Sequence, residues 1–185
     1  MAENKCAVVF LADGCEECEA LLVVDILRRA GINVVTASIN GSRSLTSSHS
    51  VKIEADEIIE NVDFDAADIV VLPGGIPGTY NLKDSETVCK TATEFAEKKM
   101  VAAVCAAPSV LASLKLLEGK KATVAPSFED RMEGAVMTRE SVTVDGNIIT
   151  GQGLGASIPF ALKIVEMLLD RETADAVAKK ICYRG

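Results

Sequence analysis

Four short runs, KCAVVFLA (5–12), INVVTASI (32–39), DIVVL (68–72) and VAAVC (101–105), constrain this chain more than anything else in it. Each is nearly continuous in small or β-branched apolar residues. A strand with one wet face alternates apolar with polar, so a run lacking that alternation belongs to a strand covered on both faces. Between the first two runs lies a helical pattern from about Glu16 to Ala30, acidic in its first turn, basic at Arg28-Arg29 and stopped by Gly31, as the helix dipole prefers. Strand, helix and strand in direct succession make a βαβ unit, which implies a parallel sheet.

The remaining segments extend that reading. Residues 40–59 follow Asn40-Gly41 and alternate around Leu45, Val51 and Ile53, which predicts a hairpin or small excursion. Residues 84–99 place Val88, Ala92 and Phe95 on one helical stripe. After Cys105, the spacing of Val110, Leu111, Leu114 and Leu117 predicts a helix from Ala107 or Pro108 up to Gly119, with Pro at its start and Gly past its end. Short pieces follow: ATVAP, a brief helix SFEDRM, AVM, and a hairpin SVTVDGNIIT turning at Asp145-Gly146. A helix over 157–169 and a helical tail ETADAVAKKI complete the chain. The expected fold is a doubly wound α/β sandwich in a single domain over residues 1–185.

Composition narrows the function. With 19 basic against 27 acidic residues and a net charge of −8, the chain lacks the concentrated basic surface that nucleic acids or anionic membranes require. No apolar run approaches the roughly 18 residues of a membrane span, and the start MAENKCAVVFLAD has no signal pattern. A cytoplasmic protein is expected, whose six cysteines are reduced thiols to be judged one by one.

Cys105 stands out because strand, sharp turn and helix meet at its thiol. The free N–H groups of the next helical turn would face the sulfur, favouring thiolate and offering a place for an oxyanion. The Gly74-Gly75 pair, ending another strand, would bring backbone N–H groups to the same place, with the amide of Ala106 completing an oxyanion hole. A carboxyl partner can come from Glu19, on a stripe with Val23, Ile26 and Ala30, or from Glu16, on one with Ala20, Val23 and Leu27. A carboxyl facing the sheet is desolvated and its pKa rises, which suits general acid–base work. Helical periodicity does not choose between the two.

Other patterns are weaker. Cys15-Glu16-Glu17-Cys18 has thioredoxin-like spacing, but its glutamates raise the thiol pKa values and oppose that use. A single histidine, His49, and no second C-x-x-C leave a zinc site incomplete. GQGLG (151–155) lacks the third glycine of a nucleotide loop, and no cofactor or metal is expected.

The blocks LADGCEECEA, VDILRRAGINV, DIVVLPGGIPGTYNL, AAVCAAPSVLA and ITGQGLGASIPFALKIVEML, in this order, resemble the ThiJ/PfpI superfamily. The match is to its compact DJ-type branch of protein deglycases and glyoxalase III-like proteins. The resemblance implies a flavodoxin-like fold, a homodimer, Cys105 as reactive cysteine and Glu19, rather than Glu16, as its carboxylic partner. It also assigns Gly74, Gly75 and Ala106 as backbone donors around the thiol. Many relatives carry a histidine where this chain has Ala125, which removes a Cys–His pair and argues against peptidase chemistry. Eukaryotic members place an arginine where His49 falls, which makes His49 a candidate for anion binding or proton transfer. The implied activity is cofactor-independent conversion of a small 2-oxoaldehyde such as methylglyoxal, or the related deglycase reaction. The alternative is a redox sensor or stress-linked chaperone acting through oxidation of Cys105.

Overall fold

The computed structural model describes residues 5–184. In chain order, β1 (Cys6–Leu11), α1 (Glu17–Arg29) and β2 (Asn33–Ser38) form the expected βαβ unit. β3 (Ser44–Thr46) and β4 (Lys52–Glu54) form the predicted antiparallel hairpin, followed by β5 (Glu57–Ile58) and β6 (Ile69–Leu72). Then come α2 (Gly78–Asp84), α3 (Glu86–Lys98), β7 (Met100–Val104), α4 (Pro108–Ser113), β8 (Lys121–Ala122) and β9 (Val136–Met137). The chain closes with the hairpin β10 (Val142–Asp145) and β11 (Ile148–Gly151), then α5 (Ser157–Leu168) and α6 (Arg171–Lys180).

Seven strands pair in the order β10-β11-β7-β6-β1-β2-β5. All adjacent pairs are parallel except β10 with β11 at the edge. The two-residue period of a strand sends Ala7, Val9 and Leu11 to one face and Val8, Phe10 and Ala12 to the other. The first set packs with Val23, Ile26 and Leu27 of α1 and with Phe160, Ile164 and Val177 of α5 and α6. The second packs with Leu82, Val88, Phe95, Val110 and Leu111 of α2, α3 and α4. The result is the flavodoxin-like sandwich expected from the sequence. No helix among the described residues is long and apolar enough to cross a membrane.

Two helices depart from expectation. The helix after Cys105 ends at Ser113 rather than near Gly119, because Lys115 takes a left-handed φ of 60° and breaks the spiral. Leu117 still reaches the core, fully buried, from a turn. The segment after the Gly-Pro loop contains α2, which begins directly behind Pro77 and was not anticipated. A chain that leaves β1 for β2, then returns past β1 to β6, reverses direction between β1 and β6. Open α/β sheets bind ligands beyond the carboxyl ends of the strands at such a point.

Candidate active site

Four strand ends meet there. β7 hands the chain to Cys105, whose φ of 61° is a left-handed value that a non-glycine residue adopts only under constraint. The constraint is visible on both sides: Cys105 N–H donates to the Gly151 carbonyl (2.9 Å), and Ala125 N–H donates to the Cys105 carbonyl (2.9 Å). The turn lifts the sulfur out of the sheet, where the N–H groups of Ala106 and Gly75 donate to it. From β1, the chain passes Gly14 and Cys15 into α1, which presents Glu19, 1% exposed, to the same sulfur through a shared hydrogen bond.

The loop after β6 packs backbone on backbone against the start of α1. A Cβ on Gly74 would stand 2.5 Å from Glu19 Oε2 and 2.6 Å from Cys105 Cβ, and one on Gly75 would stand 2.2 Å from Glu16 N. Only glycine allows this approach. The two amides have different work. Gly75 N–H faces the sulfur, whereas Gly74 N–H donates to Glu19 Oε2 at 3.1 Å, so Gly74 holds the carboxyl rather than an oxyanion.

Burial pushes the Glu19 carboxyl up to about 7, although hydrogen bonds from Cys105 and Gly74 oppose the rise. Burial and the Glu19 charge push the Cys105 thiol up to about 12, against the lowering influence of the Ala106 and Gly75 N–H groups. The expected resting thiolate is therefore corrected. α4 has six residues and contributes little dipole, while desolvation and a neighbouring carboxylate act on the thiol at once. Between these two values the pair holds one proton, which rests on sulfur with Glu19 charged, and the two N–H groups stabilise the sulfur anion that forms when that proton passes to Glu19.

Residues 5–167 match the DJ-1/PfpI family. The chain is 38% identical over 179 residues to protein dj-1beta of Drosophila melanogaster, covering 95% of this chain and 96% of that protein. The crystal structure of Drosophila DJ-1beta superposes with a TM-score of 0.93, covering 98% of this chain and all of that one. The chain belongs to the DJ-1/PfpI family. A Toxoplasma gondii DJ-1 structure described as oxidized superposes with a TM-score of 0.94 at 34% identity, covering 98% of this chain and 100% of that one. A Caenorhabditis elegans relative named a glutathione-independent glyoxalase is 28% identical over 98% of both chains.

Glu16 is the N-cap of α1 and turns its carboxylate back onto Glu19 N–H at 2.6 Å, which separates two residues that helical spacing left equivalent. His49 is 69% exposed and stands beside Glu17, 3.1 Å from Nδ1, with a Glu16 oxygen 3.9 Å away. Among the described residues its polar partners are these carboxylates and Ser48, so it lies beside the cap of the carboxylate helix. The ligand atoms of Glu16, Glu17 and His49 lie within 4.8 Å of one another, the one group among the described residues that could hold a metal ion. Cys15 is buried, with burial raising its thiol to about 11, and Cys18 is exposed with a raised pKa. Neither has the lowered pKa of a redox-active thiol.

The GQGLG segment, set aside as a nucleotide loop, supplies a wall of the site instead. A Cβ on Gly153 would come 3.9 Å from Cys105 Sγ. The signal for it was the one that marked Gly74-Gly75, glycines at the carboxyl end of a parallel strand.

The Glu19 shift carries a stability consequence. A carboxyl at 4.5 unfolded and about 7 folded binds its proton more tightly in the native state, so stability is full below about 4.5 and falls as pH rises toward 7. The full penalty is on the order of 3 kcal/mol above that range. Glu19→Gln removes the titration, so its melting temperature relative to wild type should climb by several degrees between pH 4.5 and pH 8. A gap that stays constant across that range would refute the burial argument.

Proposed function

We propose that the chain is a cofactor-independent enzyme that converts small 2-oxoaldehydes, such as methylglyoxal, to 2-hydroxy acids. The observation that carries this reading is the Cys105–Glu19 pair, which shares one proton, with the Ala106 and Gly75 N–H groups turned to the sulfur. Transfer of that proton to Glu19 gives a thiolate, which adds to the aldehyde carbon while the aldehyde oxygen takes up the proton to form a hemithioacetal. Glu19 then removes the hydrogen from that carbon and returns a proton to the neighbouring carbonyl carbon through an enediol. The product is a thioester of lactate on Cys105. Water cleaves it, releasing lactate and restoring the thiol.

Gly75 and Ala106 N–H groups, turned to the sulfur that bonds the reacting carbon, support the developing oxyanion. His49, beside the N-cap of α1, is the proposed contact for an anionic group on a larger substrate. The deglycase reaction starts from a hemithioacetal or hemiaminal and uses the same proton transfer. The relative named a glutathione-independent glyoxalase supports the class of chemistry. Lactate formation from methylglyoxal without glutathione is the deciding assay, and wild type no faster than a variant without the thiol would remove the reading. The working unit is a homodimer, the arrangement implied by the family resemblance, and light scattering should give twice the chain mass.

The related structure described as oxidized favours a second role, in redox sensing. Two equivalents of peroxide would take the Cys105 thiol to a sulfinic acid with release of two waters, and a protonated Glu19 could donate to the sulfinate. Mild peroxide should add two oxygen atoms on the Cys105 peptide first. Oxidation spread evenly over Cys18 and Cys182, the exposed thiols, would count against it.

A further inference from the structure

We propose that Glu16 is a positioning residue for the reaction ascribed to Cys105 and Glu19, because it closes a ring of hydrogen bonds that fixes Glu19 against the loop carrying Gly74 and Gly75. The proposal rests on that functional reading and extends it to a residue that touches no reacting atom.

The ring has three bonds. Glu16 Oε2 accepts from Glu19 N–H at 2.6 Å, Glu19 Oε2 accepts from Gly74 N–H at 3.1 Å, and the Gly74 carbonyl accepts from Glu16 N–H at 2.9 Å. Each member is held by the other two, so the acid cannot shift without disturbing the loop that delivers the Gly75 amide to the sulfur. Two of the bonds use side chains, and one of those belongs to the acid itself. Glu16 is therefore the one member whose side chain can be removed without deleting the proposed catalytic group.

Glu16 also contributes charge. Glu19 is faced by Cys105 from the elbow, by the Gly74 N–H from the loop and by Glu16 from its own helix, whose negative charge helps keep the Glu19 carboxyl raised. Glu16 in turn has His49 3.9 Å away, and Glu17 lies 3.1 Å from the same ring. A neutral substitute at position 16 lowers the Glu19 pKa. The shared proton then moves toward sulfur and the thiolate fraction falls.

Two substitutions separate holding from charge. Glu16→Ala loses both the cap and the charge. Glu16→Gln loses the charge but keeps an amide oxygen that can accept from Glu19 N–H. At a temperature where circular dichroism shows every variant folded, Glu16→Ala should lose about tenfold in kcat with KM within about threefold, since small misplacement of a catalytic group is costly. Glu16→Gln should recover most of that kcat, with the pH limb set by Glu19 moved to lower pH.

A second readout needs no turnover: the pH dependence of iodoacetamide alkylation on the Cys105 peptide. At pH 7, both variants should alkylate at about one-third of the wild-type rate or less. If wild type forms no lactate, the functional reading fails while alkylation still decides the role of Glu16. A lowered melting temperature with unchanged kcat and alkylation profile would mean that Glu16 only caps a helix, and would overturn the proposal.

Discussion

Cys105→Ser should form lactate from methylglyoxal at less than about one-thousandth of the wild-type rate, the scale expected when covalent catalysis is lost. Serine is close in size to cysteine and fits the same left-handed turn. The loss would therefore come from chemistry rather than from folding, and an unchanged melting temperature would establish that. A hydroxyl is far less acidic than even a buried thiol, so Glu19 cannot convert it to a useful nucleophile. Glu19→Gln is the companion variant. Its amide can still accept from Gly74 N–H but cannot carry the proton between the two substrate carbons, and general acid–base losses run to about 10²–10⁴-fold. Substantial turnover in Cys105→Ser, measured as lactate with glutathione absent, would exclude the covalent route.

Gly75→Ala is the second change with a large expected effect, here on the fold. Gly75 has φ 91°, and an added Cβ would stand 2.2 Å from Glu16 N, 2.6 Å from Cys15 C and 2.7 Å from Gly14 O. All three are backbone atoms, so no side chain can swing aside. Left-handed strain and forced displacement each cost about 1–3 kcal/mol, and together they should lower the melting temperature by roughly 10 °C or leave the protein insoluble. Gly41→Ala is the control, since Gly41 also has positive φ (72°) but no atom within 4 Å of an added Cβ. It should lose only the strain contribution. Equal losses in the two variants would show that crowding at Gly75 is not what requires glycine.

The contrast between what the sequence conveyed and what it concealed follows from the kind of signal each feature leaves. The parallel strands were legible because burial on both faces removes polar residues from KCAVVFLA and DIVVL. The elbow helix was overextended because Leu114 and Leu117 carry a burial pattern, and burial can continue through a turn once Lys115 breaks the helix. α2 was hidden because the Gly and Pro residues before it read as loop, although Pro77 occupies its N-cap. The state of the thiol was misjudged by weighing a helix dipole without the desolvation and the carboxylate beside it. Glu16 and Glu19 could have been told apart by their spacing, since an acceptor at the N-cap and a glutamate three residues on resemble a capping box. Only half of that box forms: Glu16 accepts from Glu19 N–H, while Glu16 N–H donates to the Gly74 carbonyl, which leaves the Glu19 carboxyl free to face the sheet.

The left-handed backbone at Cys105 also bears on motion. Its N–H bonds to the Gly151 carbonyl, just past the last register pair of β7 with β11, Val104 with Gly151. Relaxing the torsion would mean unzipping the end of a buried ladder, so the strained turn is no looser than the sheet behind it. Amide exchange at Cys105 should therefore be as slow as in the centre of β7, an unusual rate for a residue whose side chain meets solvent. A reactive group mounted this way has little conformational entropy left to lose when a small substrate binds.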